Sequence, residues 1–160
     1  MNKVILGIDP GIADTGYGLI EKGVGGKISC LAYGSIKTKS GLPMTERLEI
    51  LNNELEKIIR KYQPALAAVE ELFFLNNAKT AIAVGQARGV ILLTCRKNKV
   101  PLTEMTPLQV KQTISGYGQA GKAQVQKMVK TLLCLKEIPQ PDDAADALAV
   151  AISAINEVKN

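Results

Sequence analysis

Apolar residues are spaced in two different ways along this chain, and the order in which the spacings alternate predicts the architecture. Val4, Ile5, Leu6 and Ile8 form a short continuous apolar run, the pattern of a strand covered on both faces. It stops at Asp9, because Pro10 has no amide proton for a sheet ladder and Gly11 permits a sharp change of direction. Thr15 to Glu21 and Lys27 to Lys39 carry β-branched and aromatic residues roughly alternating with polar or small ones. The glycines of Lys22 to Gly26 supply a hairpin turn between them. Three antiparallel strands are therefore expected first.

Near Pro43 the period changes. Met44, Leu48, Leu51, Leu55, Ile58 and Ile59 fall at helical spacing, and the helix should end before Pro64. Ala65 to Glu70 is a second short apolar run ending in an acid. Strand, helix and strand in sequence favour a right-handed parallel crossover, which lays this run beside the first with Asp9 and Glu70 at the same edge. Asn76 to Asn98 reads as a long helix that is apolar on nearly every side. One side should meet the sheet, and the other either a second subunit, approached closely at Gly85 and Gly89, or the rest of the same chain. Arg88, Arg96 and the shortness of the run argue against a membrane span.

Pro101 to Met105 is the expected last strand. A helix from Pro107 to Ile114 follows, then an exposed glycine-rich loop from Ser115 to Gly121, then a helix from Lys122 to Cys134. The last helix is expected to begin at Pro141, a residue suited to a first helical turn. The fold class is α/β, a five-stranded mixed sheet flanked by helices, with the 160 residues forming one domain.

Composition narrows the chemistry. The chain has no histidine, which removes the Ser-His-Asp triad, the Cys-His pair and every His-based zinc site. Its three cysteines, Cys30, Cys95 and Cys134, are far apart and show no Cys-x-x-Cys pairing. With no secretory signal at the start, they suggest a reduced, cytoplasmic protein. The net charge of +5 is concentrated: Met105 to Lys136 holds Lys111, Lys122, Lys127, Lys130 and Lys136 and no acid. Such a block points to a polyanion, most simply nucleic acid, against the alternative of a solvated lysine face.

Catalysis must then use carboxylates, lysines or hydroxyls. Asp9 could merely cap the Pro-Gly turn. Asp142 and Asp143 could merely compensate a helix dipole. Asp146 lies one turn further, among Ala and Leu residues suited to burial, and there a carboxylate is costly without a positive partner such as a bound cation. Asp9, Glu70, Asp143 and Asp146 together, from two strand ends and a helix start, suit magnesium, which takes oxygen ligands. Two such ions can activate water on one side of a phosphodiester and stabilise the leaving oxygen on the other.

These residues also resemble a known family. Ile5 to Gly11 (I-L-G-I-D-P-G), Val69 to Phe74 (V-E-E-L-F-F), Gly85 to Val90 (G-Q-A-R-G-V), Gln109 to Thr113 (Q-V-K-Q-T) and Asp143 to Ala149 (D-A-A-D-A-L-A) are similar to the motifs of the RuvC-type Holliday junction resolvases, of the ribonuclease H-like fold. The resemblance covers essentially the whole chain. It implies a homodimeric, magnesium-dependent endonuclease, with manganese able to substitute, that makes paired nicks in four-way DNA junctions and works with a branch-migration motor. It assigns Asp9, Glu70, Asp143 and Asp146 as metal ligands, with Glu71 and Asp142 as neighbouring alternatives. Phe73 would stack on unpaired bases, and Lys111 and Lys122 would contact DNA. D-P-G-I-A-D-T-G also looks like the phosphate hairpin of actin-like sugar kinases, but those need two such domains. A non-catalytic junction-binding module would keep Phe73 and the lysines without needing the full acidic set.

Overall fold

A computed structural model describes residues 2–71 and 78–158. Strands β1 (Lys3–Asp9), β2 (Asp14–Lys22) and β3 (Ile28–Lys37) are followed by helix α1 (Met44–Tyr62), strand β4 (Leu66–Glu70), helix α2 (Ala78–Lys97) and strand β5 (Leu102–Met105). Helices α3 (Pro107–Ser115), α4 (Lys122–Leu132) and α5 (Asp142–Ser153) complete the order. The five strands form one sheet in the order β3-β2-β1-β4-β5. β1 pairs antiparallel with β2 and parallel with β4, and β5 adds parallel to β4. The mixed sheet and the crossover through α1 are those the apolar spacing predicts. Expected residues Phe73 and Phe74, and the start of the long helix at Asn76, lie outside the described residues.

Alternation along the strands sorts side chains to two cores. Leu6, Ile8, Leu19, Ala67 and Val69 pack with Leu51, Leu55, Ala87 and Ile91, the face covered by α1 and α2. Ile5, Ile20, Leu66 and Ala68 pack with Val110, Val129, Leu148 and Ile152, the face covered by α3, α4 and α5. By the same parity, Asp9 follows Ile5 and Gly7, and Glu70 follows Leu66 and Ala68, onto the α5 face. Ile8 is opposite Val69 in the parallel register, so Asp9 and Glu70 leave adjacent strands side by side.

Several expected boundaries shift. Helix α5 starts at Asp142, with Pro141 as its extended cap residue rather than part of the first turn. Helix α4 ends at Leu132, and Cys134 takes a left-handed conformation at φ 51°. Ser115 belongs to α3, and the loop after it is not wholly exposed, because Ala120 is buried in the α3–α5 core. The alternative in which the long helix is buried within its own chain does not hold. Ile82 is 66% exposed and Leu93 58%, and among the described residues nothing lies within 4 Å of a Cβ placed on Gly85 or Gly89 of the same helix. Among the described residues, no helix is long and apolar enough to cross a membrane.

Candidate metal centre and DNA-facing cleft

Helix α5 reaches the sheet through a lane of glycines. A Cβ on Gly7 would lie 2.0 Å from the Ala147 carbonyl oxygen, and one on Gly16 would lie 2.0 Å from that of Asp143. At Gly18 a Cβ would meet Leu148. Strands β1 and β2 therefore accept the helix backbone almost directly, and the alanines of α5 complete the fit from the other side: Ala144, Ala147 and Ala151 are fully buried. That closeness sets Asp143 and Asp146 against the end of β1. Sequence reading recognised the alanines and missed the glycines, although their spacing of two in Gly16-Tyr17-Gly18 marks one face of a strand.

At the end of β1 the chain turns through Pro10 and Gly11. The turn is tied by hydroxyls: Thr15 Oγ1 donates to the Gly11 carbonyl at 2.5 Å, and Thr38 Oγ1 donates to that of Ile12. Asp9 is left to face other carboxylates. One oxygen each of Asp9, Asp143 and Asp146 lie within 4.8 Å of one another. Glu70 stands outside that tight set but shares a hydrogen bond with Asp9.

So many acids in so little water perturb one another. Burial first, then the charges of Glu70, Asp146 and Asp143, push the Asp9 carboxyl up to about 8. Burial and the Asp146 charge raise Glu70 as well, against the lowering influence of its Asp9 hydrogen bond and of Lys111 and Lys122. Asp146 is raised by burial, with Lys122 opposing. An all-oxygen cluster that resists ionisation on its own fits a hard divalent cation, whose charge would remove the mutual repulsion.

The expected cation partner of Asp146 has a second candidate in the protein itself. Lys122 Nζ lies 3.3 Å from Asp146 Oδ2 and 3.3 Å from Asp142 Oδ2. Asp142 also accepts from Gln126 Nε2 at 3.2 Å, so this acid is engaged with α4. Glu71 follows the end of β4, whose alternation gives the α5 face to Glu70. Beside the carboxylates opens a cleft of about 260 Å³, lined by Glu70, Asp146, Lys111, Lys122, Pro107 and Val110 among others. Lys111 reaches it because α3 starts at the sheet edge. Thr106 caps that helix, accepting from the Gln109 N–H at 3.1 Å, while the Gln109 side chain accepts from the Thr106 N–H at 2.8 Å. The structure thus brings Asp9, Glu70, Asp143, Asp146, Lys111 and Lys122 to one place. Phe73 lies outside the described residues.

Comparison with known proteins agrees with this geometry. Residues 5–154 match the family described as crossover junction endodeoxyribonuclease RuvC. A crossover junction endodeoxyribonuclease RuvC of Caldicellulosiruptor saccharolyticus is 59% identical over 151 residues, covering 94% of this chain and 91% of that one. Among solved structures, Thermus thermophilus RuvC in complex with a Holliday junction substrate superposes with a TM-score of 0.89 at 36% identity, over 94% of this chain and 92% of that one. The yeast mitochondrial resolvase Ydc2 shares the fold, at a TM-score of 0.69 and 16% identity, over 94% of this chain and 77% of that one. The sheet and its flanking helices are thus the ribonuclease H-like fold, and the chain belongs to the RuvC family of crossover junction endodeoxyribonucleases.

Proposed function

We propose that the chain resolves four-way DNA junctions by hydrolysing one phosphodiester in each of two opposed strands, as a homodimer, with magnesium held by Asp9, Glu70, Asp143 and Asp146. The observation that carries this reading is the set of carboxylate oxygens from β1 and α5 within 4.8 Å of one another, at the mouth of a lysine-lined cleft. Bound divalent ions supply an activated water and stabilisation of the leaving oxygen. The protein's own part is positional. Asp9 meets Glu70 on one strand and Asp143 and Asp146 on the helix, so one carboxylate links both groups of ligands. Lys111 and Lys122 offer cations to the phosphates on either side, and the raised Asp9 gives up its proton when metal is taken up.

The outer face of α2 supports the dimer. Ile82, Gly85, Gly89 and Leu93 form an exposed apolar strip whose glycines leave room for a second backbone. A four-way junction has approximate two-fold symmetry, which a two-fold dimer with two identical sites matches. Phe73, just beyond β4, is assigned to stacking on an unpaired base. A branch-migration motor is the partner expected of the family, the cytoplasm the compartment, and the whole chain a single nuclease domain.

The reading is tested on a synthetic four-way junction and a matched duplex, with magnesium, manganese, calcium or chelator. Junction cutting with magnesium or manganese and little with calcium is expected, because calcium's longer, looser coordination misplaces the attacking water. Asp9→Asn, Glu70→Gln and Asp146→Asn should each lower cleavage by more than about a hundredfold, since even the neighbours of metal ligands are worth about 10–100-fold. Junction binding should persist. Cleavage in chelator, or equal cutting of duplex, refutes the reading.

A further inference from the structure

Lys122 is oddly placed for a lysine. It is the first residue of α4, behind a Gly121 cap that offers no side chain, and a cation at a helix N-terminus opposes the helix dipole. The position is tolerated because the start of α5 faces it. Asp142 and Asp146 each approach Lys122 Nζ to 3.3 Å, and Gln126, one turn along α4, donates to Asp142. Both ion pairs are longer than the roughly 2.7–2.9 Å of a committed ammonium–carboxylate hydrogen bond. The ammonium is shared between the two acids, on a flexible stem whose side chain is 55% exposed. Asp146 is one of the three carboxylates whose oxygens lie within 4.8 Å of one another, and Asp142 is outside that set.

We propose that Lys122 is the exchangeable counter-ion of this site: it neutralises Asp146 in the metal-free protein, is displaced from it when a divalent cation binds, and is thereby released to a phosphate of the DNA. The inference rests on the reading of Asp146 as a metal ligand. An ammonium and a divalent cation cannot share one carboxylate oxygen without strong repulsion, so one must leave, and the lysine has somewhere to go. Asp142 keeps it close to the cleft, and a DNA phosphate entering there offers the freed ammonium a second anion. Metal and DNA binding become linked through one side chain, and by reciprocity each strengthens the other. Lys111, which lines the same cleft and affects Glu70 by charge alone, has no such exchange.

The linkage is measurable without any cleavage. Titration calorimetry of Mn²⁺ into DNA-free protein should show Lys122→Gln binding about two- to fivefold more tightly than wild type, the span expected from losing a competing, partly exposed ion pair. Lys122→Arg should restore wild-type affinity, and Lys111→Gln should change it less than Lys122→Gln does. In wild type carrying ¹³C-methylated lysines, the Lys122 resonance should move toward those of free surface lysines as Mg²⁺ is added, and it should not move in Asp146→Asn. Equal Mn²⁺ affinity in wild type and Lys122→Gln overturns the exchange, as does a Lys122 resonance unmoved at saturating Mg²⁺. Failure of wild type to bind metal at all would overturn the assignment of Asp146 beneath it.

Discussion

Helices α5 and α2 look alike as sequence, both rich in alanine and aliphatic residues with no sustained polar face, yet the molecule treats them oppositely. From Ala144 to Ser153 every residue of α5 except Asp146 is buried, while α2 buries Ala87, Ile91, Thr94 and Cys95 and leaves Ile82 and Leu93 in solvent. The glycines explain the difference. Those that serve α5 are on the strands beneath it, at Gly7, Gly16 and Gly18, and the helix has sunk into the space they leave. Those near α2 are on the helix itself, at Gly85 and Gly89, and among the described residues nothing lies against them. One helix is therefore seated with two carboxylates against the sheet end; the other leaves Ile82 and Leu93 exposed.

The largest effect should come from filling the lane under α5. In Gly16→Ala the new methyl would overlap the Asp143 carbonyl oxygen, and backbone atoms cannot step aside as a flexible side chain can. The helix must lift, at about 1–3 kcal/mol or more, which is about 2–12 °C in Tm for a chain of this size. Cleavage should be lost along with it, because Asp143 moves away from Asp9. Thermal unfolding together with junction cleavage checks this, and a Gly16→Ala protein of wild-type Tm and activity would show that α5 is not seated by the lane.

The matching change on α2 should separate stability from assembly. Gly89→Leu meets open space, so the protomer should keep its thermal stability within about 0.5 kcal/mol, as exposed substitutions do, apart from the gain of a better helix former. Sedimentation should nonetheless show monomers, and a cruciform plasmid should receive unpaired nicks. Paired nicking by a monomeric variant would remove α2 from the interface.

Most of the fold could be read from the chain because strand and helix periods differ and because Pro and Gly punctuate the changes. The strand order β1-β4 follows from a crossover rule, and with it the adjacency of Asp9 and Glu70. Two things were hidden. The first was depth: apolar spacing says that a helix is covered but not how closely, and the strand glycines Gly7, Gly16 and Gly18 that let α5 sink onto the sheet went unread. The second was pairing. Asp146 called for a positive partner, and sequence offered a metal ion; that Lys122, 24 positions earlier, already reaches it depends on how two helix starts meet in space. Boundaries such as Asp142 for Pro141 moved by a residue, because caps are decided by local hydrogen bonds rather than by period.

A smaller effect on the seated side is a pH dependence. Asp9 in the folded protein is raised to about 8 from an ordinary 3.8, so between those values the folded state holds a proton that the unfolded chain has released. Stability is then full below about pH 4 as far as this group is concerned, and is lost as pH rises through 8. Glu70 and Asp146 are raised too and act in the same direction. In chelator, Tm should fall between pH 5.5 and 8.5; magnesium should offset the fall, and Asp9→Asn should flatten it. A metal-free protein that gains stability over that interval would mean the carboxylates are not packed as tightly as α5 places them.

The smallest effect belongs to the lysine that faces the site without pairing to it. Lys111 lines the cleft from α3 and touches the carboxylates through charge alone, so removing it disturbs neither the seat of α5 nor the apolar strip of α2. What it offers is one cation for one phosphate. Lys111→Ala should therefore leave Tm and the dimer unchanged and weaken junction binding uniformly across sequences. It should also lower the slope of log affinity against log salt by about one unit, the release of roughly one counterion per phosphate contact. Binding isotherms between low and physiological salt measure that slope directly. A parallel salt dependence in Lys111→Ala and wild type would return Lys111 to the solvated surface and leave Lys122 and the carboxylate edge as the part of the cleft that meets DNA.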